Sequence, residues 1–355
     1  MQLYMPTKVY SEDNCVIRHA QEITALGTKV MIVTGKHSAA RCGALQDVLD
    51  ALGETPYILF DRVEENPSIE TVMAAREIAV SNGVDFFIGI GGGSPMDAAK
   101  AISMMARNPQ AGEEVLYKAE ELPWFPVVCI PTTCGTGSEV TPYAILTRHA
   151  HQTKKSISHK IYPALALLDA KYLRSMPRTG LVNTCVDALC HLLESYLNTN
   201  SNDLNRIYSR QGLQLWGQFK DRLLADTLTD ADYPLMLHAS MVAGMAITHT
   251  GTSLPHGMSY PVTYKLGIPH GRACGIFLGG YVEGYRNAEE AATAVNLLGF
   301  ESTAQFRSYL NRLLGEVSIP AELLQTAAES LLADPGKLKN YPFSITQTDL
   351  LHMTN

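Results

Sequence analysis

The segment DFFIGIGGGSPMD, residues 85–97, leads from a buried strand through three glycines directly into a helix. We predict that Ser94 caps this helix and that Pro95 is its first residue, because serine and proline favour these positions. Glycines allow a phosphate to approach the backbone closely, and the N-terminus of a helix offers free amide hydrogens to an anion. The segment therefore predicts a phosphate site. A merely tight turn is the alternative, because the G-x-G-x-x-G spacing is absent.

Strands and helices alternate outward from this segment up to about residue 170. Buried β-branched runs are separated by segments with the three-to-four-residue apolar spacing of helices that end in glycine. The runs are KVMIVTG, TPYILF, FPVVCIPTT and ALALLD, and the helical segments are SAARCGALQDVLDALG and NPSIETVMAAREIAVSNG. Such alternation predicts a parallel sheet with helices on both faces. We expect residues 1–176 to form an α/β dinucleotide-binding domain.

The second half of the chain loses the strand signal. From Pro177 onward, apolar residues recur with the period of a helix in four segments. These segments are TGLVNTCVDALCHLLESYL, LNRIYSRQGLQLWGQF, YPLMLHASMVAGMAIT and TAQFRSYLNRLL. We therefore predict an all-α domain over residues 177–355, which follows the first domain without a flexible linker.

Length and composition limit the class of protein. The 355 residues suffice for two domains, and a net charge of −7 gives no electrostatic reason to expect a nucleic-acid partner. No run approaches the roughly 18 apolar residues of a membrane span, and the first residues lack a secretion signal. The seven cysteines form no Cys-x-x-Cys pair, which favours reduced thiols in the cytoplasm. A nucleophilic role for Cys134 is disfavoured, because no histidine is close in sequence.

A second glycine-rich segment, PTTCGTGSE at residues 131–139, also follows a hydrophobic strand and offers hydroxyl donors. Two such turns in one sheet predict a ligand crevice. After the first long strand, Gly35, Lys36 and Ser38 occupy the place of the acidic residue that would bind a ribose 2′-hydroxyl. Because Lys36 and Ser38 can bind a 2′-phosphate, we favour NADP(H) over NAD(H). A solvated loop lysine is the alternative.

Four residues in the second half have the spacing and chemistry of a divalent metal site. Asp187 and His191 are four apart in DALCH, which places both on one face of a helix. His256 lies beside a glycine, and His270 lies between a proline and a glycine. One carboxylate and three imidazoles suit Fe²⁺ or Zn²⁺. Chance is the alternative in a chain with 11 histidines; His249 and His256, seven apart, could instead share one helix face.

The motifs GGGSPMDAAK, PTTCGTGSEVTPYAIL, DALCH and HGMSYP…GIPHG occur in this order along nearly the full chain. In this arrangement the sequence resembles the iron-dependent (group III) alcohol dehydrogenases, which share the dehydroquinate-synthase-like fold. The resemblance implies an N-terminal dinucleotide-binding α/β domain and a C-terminal all-helical metal domain. It also implies a cleft between them, where hydride passes between NAD(P)(H) and a small primary alcohol or aldehyde, and a homo-oligomer of two or more copies.

The same resemblance assigns individual residues. The residues in the positions of the four metal ligands are Asp187, His191, His256 and His270. The residues in the positions of the cofactor segments are Gly92, Gly93, Ser94, Asp97, Thr132, Thr133 and Ser138. A lysine near the active cleft corresponds to Lys155 or to its neighbour Lys154.

One position departs from the family pattern. Many members have a second histidine four residues after the ligand that matches His256, where this chain has Tyr260. Tyr260 could relay a proton to or from the substrate, but an ordinary tyrosine pKa near 10 makes it a poor base at neutral pH. A packed aromatic ring is the alternative role.

Three other functions compete with a metal-dependent dehydrogenase. A metal-free reductase similar to maleylacetate reductases would share the cofactor half, but would lack the complete ligand set. A dehydroquinate-synthase-like enzyme would carry more lysine and arginine for a phosphorylated substrate. A non-catalytic nucleotide-binding protein would keep the fold without turnover. The apolar residues Met245, Leu254 and Met258 in the helical half favour a small neutral substrate.

Overall fold

A computed structural model of the protein describes residues 3–119, 121–151 and 153–354. The chain forms two compact units. An α/β unit comprises residues 5–133 and 137–175, and a helical unit comprises residues 3–4, 134–136 and 176–354. Residues 3–4 and 134–136 thus group with the helical unit, although they precede the predicted boundary after residue 176 in sequence.

The α/β unit contains a main sheet, a short hairpin and several helices. Its strands are β1 (Lys8–Ser11), β2 (Val30–Thr34), β3 (Tyr57–Phe60), β4 (Phe86–Gly91), β5 (Val127–Pro131), β6 (Ile145–Arg148), β7 (Thr153–Ser156) and β8 (Leu165–Leu168). Its α-helices are α1 (Cys15–Arg18), α2 (Ala20–Thr24), α3 (Ser38–Arg41), α4 (Ala44–Leu52), α5 (Ile69–Ser81) and α6 (Gly93–Arg107). Short 3-10 helices cover Glu113–Tyr117, His149–His151 and Ala170–Leu173.

The main sheet has the strand order β1-β8-β5-β4-β2-β3, and each neighbouring pair is parallel. Alternate side chains of a strand face opposite sides of a sheet, and here both sides are covered. Val30 and Ile32 of β2 join one buried cluster, while Met31 and Val33 join another. Burial on both faces explains why β2 reads as a continuous apolar run. The prediction of a parallel α/β half is confirmed.

The helical unit follows in sequence after residue 176. Its helices are α7 (Arg178–Tyr196), α8 (Arg206–Ala225), α9 (Asp232–Thr250), α10 (Leu254–Leu266), α11 (His270–Glu283), α12 (Ala288–Leu297), α13 (Thr303–Leu314), α14 (Ala321–Leu332), α15 (Pro335–Leu338) and α16 (Gln347–Leu351). The described residues after 176 contain no strand, which confirms the all-α prediction. Trp216 of α8 is fully buried and donates from its indole nitrogen to the Cys185 carbonyl of α7, 2.9 Å away.

Three local features differ from the sequence predictions. Helix α6 begins at Gly93 after the N-cap Gly92, so Ser94 and Pro95 lie inside its first turn and Ser94 is not the cap. The segment 38–53 forms two helices instead of one, because Gly43 adopts a left-handed φ of 87° between them. Strands β1, β6 and β7 carry too little apolar alternation to have been predicted.

A helix that spans a membrane must be both long and apolar. Within the part of the chain that the structure describes, no helix combines the necessary length with sufficient apolar character.

Candidate metal centre

Helix α7 presents three buried polar side chains that recur along one of its faces. Asp187, His191 and Glu194 are spaced at i, i+4 and i+7, so they lie on successive turns of the same side. Their exposed fractions are 3%, 5% and 0%. Buried charged groups are costly unless they are paired or bind an ion. The face of α7 that carries them therefore needs partners from neighbouring helices.

Helix α11 comes very close to α7 at Gly271. A Cβ atom at this position would lie 1.9 Å from the Asn183 carbonyl oxygen and 2.8 Å from Cβ of Asp187. Because any larger residue would push the helices apart, the glycine allows His270, the first residue of α11, to reach Asp187. Packing thus explains the glycine that follows His270 at the start of α11. His256 comes from the first turn of α10.

Four side chains converge where these helices meet. One ligand atom from each residue lies within 4.8 Å of the other three, and the set is Asp187, His256, His270 and Cys274. The Nε2 atoms of His256 and His270 lie 3.7 Å and 3.8 Å from Oδ1 of Asp187. These atoms are therefore close enough to contact one common ion, and too far apart for hydrogen bonds to each other.

His191 contacts this set through its ring instead of joining the close group. Its imidazole stacks on His256 with 4.7 Å between ring centroids. Its Nδ1 lies 3.3 Å from the Gly135 carbonyl oxygen, to which a protonated Nδ1 can donate. That tautomer leaves the Nε2 lone pair available to a metal ion.

Glu194 fixes the orientation of His256. One carboxylate oxygen accepts hydrogen bonds from the backbone amides of Ser253 and His256, at 2.9 Å and 3.2 Å. The other oxygen accepts a hydrogen bond from Nδ1 of His256. A carboxylate on Nδ1 selects the tautomer whose Nε2 carries a lone pair, as is usual for histidine ligands. Glu194 is thus a positioning residue for His256.

The electrostatics of the cluster favour a cation. Burial raises the pKa of Asp187, but His191, His270 and His256 outweigh burial and hold it below its ordinary value. Burial lowers the pKa of His256, yet the surrounding Cys274 and Glu194 raise it well above its usual range. The acidic groups around His256 thus favour a positive charge at this position, which a divalent ion can supply.

The cluster also contains buried polar atoms without partners. Among the described residues, Oδ1 of Asp187 and Nε2 of His256 are fully enclosed and make no hydrogen bond. Buried polar atoms are almost always satisfied, so two neighbouring exceptions require an explanation. Both are good donors for a first-row divalent ion, and their positions fit one. The residues present therefore fit the iron or zinc ion that the sequence predicts.

Tyr260 lies beside this cluster. Its ring stacks on His270 with 5.9 Å between centroids and 13° between planes, and Lys337 Nζ lies 5.4 Å from the ring centroid.

His249 lies in a different helix from His256, so the alternative that they share one helix face is wrong. His249 instead stacks on Tyr208 and contacts the Met245 carbonyl at 2.8 Å through Nδ1.

The α/β unit brings its glycine-rich turns to one edge of the sheet. Strands β2, β4 and β5 are neighbours, with Thr34 beside Ile90 and Gly91 beside Pro131. The segments that follow them therefore start side by side, and they contain Gly35, Lys36, Ser38, Gly92, Gly93, Thr132 and Thr133. Lys36 is exposed. The carboxyl ends of adjacent parallel strands are the usual place for a nucleotide.

Helix α6 starts at this edge without a side-chain cap among the described residues. Glycine has no Cβ atom. If one were added at Gly92 it would lie 3.3 Å from Thr133 Cγ2, and one added at Gly91 would lie 2.8 Å from Pro95 Cγ. The turn is therefore closely packed, and a side chain at either glycine would crowd its neighbours. The hydroxyl of Ser94 accepts a hydrogen bond from the Asn66 amide at 3.0 Å, so it fixes a neighbouring loop. Uncapped amides at a helix start are suited to an anion.

Asp97 and Ser138 are joined in a buried network around Lys100. The Ser138 hydroxyl donates to Asp97 at 2.5 Å, and Lys100 Nζ donates to the Ser138 hydroxyl at 2.8 Å. Lys100 also donates to three carbonyl oxygens, which belong to Ser138, Thr141 and Tyr143. These bonds hold the second glycine-rich segment to α6. Asp97 and Ser138 thus have structural partners, and their contact with a cofactor stays a prediction.

The two candidate lysines of strand β7 point in different directions. Lys155 is exposed, and its Nζ lies 5.8 Å from the Tyr117 ring centroid. Lys154, on the opposite face of the strand, donates to Asn66 Oδ1 at 2.5 Å. Since Asn66 also binds Ser94, Lys154 is the lysine linked to the glycine-rich turn. The role predicted for Lys155 remains untested.

Both halves of the chain match one protein family. Residues 6–170 match the family described as iron-containing alcohol dehydrogenase. Residues 181–341 match the C-terminal part described for the Fe-containing alcohol dehydrogenase family. The chain belongs to the iron-containing alcohol dehydrogenase family. The resemblance recognised in the sequence is confirmed.

Individual relatives agree with this membership. An iron-containing alcohol dehydrogenase from Thermotoga maritima is 36% identical, with a TM-score of 0.91, and the match covers 99% of this chain and 98% of that one. A lactaldehyde reductase from Escherichia coli is 31% identical over 70% of this chain and 66% of its own length. An aldehyde-alcohol dehydrogenase 2 from Entamoeba histolytica is 30% identical over 77% of this chain. The match spans only a third, 33%, of the Entamoeba protein.

For this member of the iron-containing alcohol dehydrogenase family, the structure adds two residues to the predicted centre. Cys274 lies four residues after His270 on α11, the same spacing that relates Asp187 and His191. That spacing is the local signal in the sequence that points to Cys274 as a further member of the centre. Glu194 could have been found as the third residue on the Asp187 face. Its partner His256 is 62 residues away, so its role was not visible in the sequence.

Proposed function

We propose that this protein is a metal-dependent oxidoreductase that transfers hydride between a nicotinamide dinucleotide and a small alcohol or aldehyde. The observation that carries the proposal is the pair of buried, unpartnered atoms, Asp187 Oδ1 and His256 Nε2, within a cluster of ligand-type side chains. A protein that used this fold for structure alone would not be expected to keep such atoms buried without a partner.

The residues proposed to hold the ion are Asp187, His191, His256 and His270. When bound, the divalent ion supplies a Lewis acid for the substrate oxygen. Glu194 accepts from Nδ1 of His256 and so leaves its Nε2 lone pair free, and the Gly135 carbonyl favours the same tautomer for His191. Asp187 stays ionised because the surrounding imidazoles lower its pKa. The protein thus contributes a preformed, mostly buried donor set.

The cofactor is proposed to bind at the edge where β2, β4 and β5 end. The uncapped start of α6 with Gly92 and Gly93 would bind the pyrophosphate through backbone amides. Thr132 and Thr133 offer hydroxyl donors in the adjacent turn. Lys36 is exposed at the end of β2, close in sequence to Ser38, which supports NADP(H) over NAD(H). Hydride chemistry belongs to the nicotinamide, and the chain supplies orientation.

The packed-aromatic role is proposed for Tyr260. Its parallel ring contact with His270 and the Lys337 ammonium over its ring support a positioning residue that limits rotation of the imidazole. A proton relay through the Tyr260 hydroxyl is the competing hypothesis. Lys154, through Asn66, is proposed to hold the loop next to the glycine-rich turn.

The substrate is proposed to be small and neutral, in line with the apolar side chains of the helical unit. Leu254 and Met258 are fully buried in α10. A homo-oligomer of two or more copies is proposed from family resemblance. All seven cysteines, each among the described residues, are free thiols, which supports a reducing compartment such as the cytoplasm.

The deciding experiment measures activity as a function of metal. Purified protein is stripped with a chelator and reloaded with Fe²⁺ or Zn²⁺ under anaerobic conditions, and NADPH and NADH oxidation are followed with a panel of short aldehydes. We expect turnover to scale with bound metal and to be faster with NADPH. Full activity of the stripped protein would favour the metal-free reductase, and no turnover with any metal or aldehyde would favour the non-catalytic protein.

A further inference from the structure

We propose that the Cys274 thiolate is a direct metal ligand, so that a sulfur donor joins the carboxylate and the imidazoles. This assignment deepens the proposed function and rests on it. It differs from the four-residue set implied by the sequence, in which no sulfur takes part.

The first support for the assignment is the position of Cys274. The residue lies one turn after His270 on α11 and is fully buried. Its Sγ lies 3.7 Å from Nε2 and 3.8 Å from Nδ1 of His270, alongside the imidazole. Its Sγ is also within 4.8 Å of the ligand atoms of Asp187 and His256. His191, by contrast, meets the cluster through ring stacking on His256.

The surroundings of Cys274 hold the sulfur in place. The thiol donates to the Ser259 hydroxyl at 3.2 Å, and this hydroxyl donates to the His256 carbonyl at 2.8 Å. Ser259 is fully buried on the face of α10 that also carries His256. The sulfur is therefore anchored beside the two imidazoles by a residue that does not itself belong to the close group.

The unpartnered atoms form the second, independent observation. Asp187 and His256 are 3% and 2% exposed, and the Oδ1 and Nε2 atoms of these residues lack partners among the described residues while lying beside Cys274 Sγ. An ion placed to satisfy both atoms is therefore within reach of the sulfur. When the sulfur binds, its proton is released to solvent, as for other thiolate ligands.

A sulfur ligand changes which metals the centre prefers. Thiolate is a soft donor and favours zinc and cobalt over harder ions, whereas oxygen donors favour Mg²⁺ or Mn²⁺. The thiolate, the carboxylate and the imidazoles are all donor types that zinc accepts. We therefore expect zinc to compete with iron more strongly at this centre than at a centre whose ligands are only oxygen and nitrogen atoms.

Cobalt substitution tests the assignment through a spectrum. Stripped wild-type protein is titrated with Co²⁺ alone, and its near-ultraviolet and visible absorption is recorded with the bound cobalt measured in parallel. We expect a sulfur-to-cobalt charge-transfer band that grows to one equivalent. We expect Cys274→Ser to lose this band completely. Cys185→Ser is the matched control, because Cys185 is a buried thiol of α7 whose Sγ faces Cys134 at 3.5 Å; it should keep the band.

The outcomes separate this assignment from the proposed function. Cobalt that binds to wild type without a sulfur band, or a band that persists in Cys274→Ser, overturns the assignment alone. Wild-type protein that takes up no cobalt, zinc or iron overturns both. If Cys274→Ser fails to fold, X-ray absorption of the zinc-loaded wild type decides: a sulfur neighbour at about 2.3 Å supports the assignment, and a shell of only nitrogen and oxygen overturns it.

Discussion

Two buried polar clusters, one in each unit, differ in whether their buried polar atoms have hydrogen-bond partners. In the α/β unit, the Lys100 ammonium is fully enclosed and donates to the Ser138 hydroxyl and to three backbone carbonyls. In the helical unit, Asp187 Oδ1 and His256 Nε2 are enclosed and have no partner among the described residues. The first cluster is complete as it stands, whereas we propose that a metal ion completes the second.

The difference separates a structural role from a functional one. Burial alone does not distinguish the clusters, because Lys100 and Asp187 are both almost completely enclosed. What distinguishes them is whether the protein itself satisfies the buried atoms. The Lys100 cluster fixes the second glycine-rich segment against α6. The Asp187 cluster, in our proposal, leaves its ligand atoms available to a metal ion.

The largest effect is expected from removing the negative charge of Asp187, in the cluster whose buried atoms lack partners among the described residues. Asp187→Asn keeps the shape of the side chain but removes its charge. We expect bound metal to fall below a tenth of the wild-type amount and kcat/KM to fall by about 10⁴-fold, or roughly 5 kcal/mol. Metal analysis and steady-state kinetics on the same preparation measure both quantities.

Asp97→Asn is the matched control, because it neutralises a carboxylate of the satisfied cluster. Its metal content should equal that of wild type. If Asp97→Asn loses metal as fully as Asp187→Asn does, the division between the clusters is incorrect.

The next effect is a loss of stability from the satisfied cluster. Lys100→Met removes the buried cation, so three carbonyl groups lose a hydrogen bond and Asp97 loses the positive charge 3.8 Å away. We expect the free energy of unfolding in urea to fall by about 4 kcal/mol, the usual cost of breaking a buried ionic network. Lys118→Met is the control, since the Lys118 side chain is exposed and its ammonium pairs with nearby Glu114 at 3.5 Å. It should leave the unfolding midpoint unchanged; an equal shift in both variants would contradict the prediction.

A smaller and pH-dependent effect is expected at Glu139. Burial raises the pKa of this carboxyl from its ordinary value of 4.5 to about 7, and its Oε1 has no hydrogen-bond partner among the described residues. The folded state therefore holds the proton more tightly than the unfolded chain does. The resulting stability is fully present below pH 4.5 and is lost as the pH rises through about 7.

Glu139→Gln removes this pH dependence because glutamine does not ionise. Relative to wild type, the free energy of unfolding of the variant should increase by roughly 3 kcal/mol between pH 4.5 and pH 8. Urea unfolding of both proteins at the two pH values, with the same excess of zinc throughout, measures the change. A constant difference between the two proteins would show that Glu139 titrates normally.

The sequence predicted the fold well because its signals are local. Strand β2 is a single apolar run, and α7 carries a helical repeat that ends only after Tyr196. The edge strand β1 was missed because its pairing with β8 depends on residues more than 150 positions away. The start of α6 was misplaced by two residues, since glycine at the N-cap leaves no side-chain signal.

The candidate metal centre was predictable in part for the same reason. Asp187 and His191 could be paired because they share one helix. Cys274 has the same four-residue spacing from His270, but the four-residue ligand set of the resembling family contains no cysteine. Glu194 orients His256 across 62 residues, and the closeness of α11 to α7 depends on the space left by Gly271. Such long-range packing is not encoded in any local spacing.

The smallest effect is expected at Tyr260, which touches the unsatisfied cluster without donating to it. Tyr260→Phe keeps the ring that stacks on His270 and lies under Lys337, and it removes only the hydroxyl. We expect kcat to change by less than about threefold and its pH profile to stay the same, because positioning needs the ring alone. Tyr260→Ala removes the ring as well and should lower kcat by about tenfold without loss of metal. A fall of about 100-fold in Tyr260→Phe, together with the loss of one limb of the pH profile, would instead identify the hydroxyl as the proton relay.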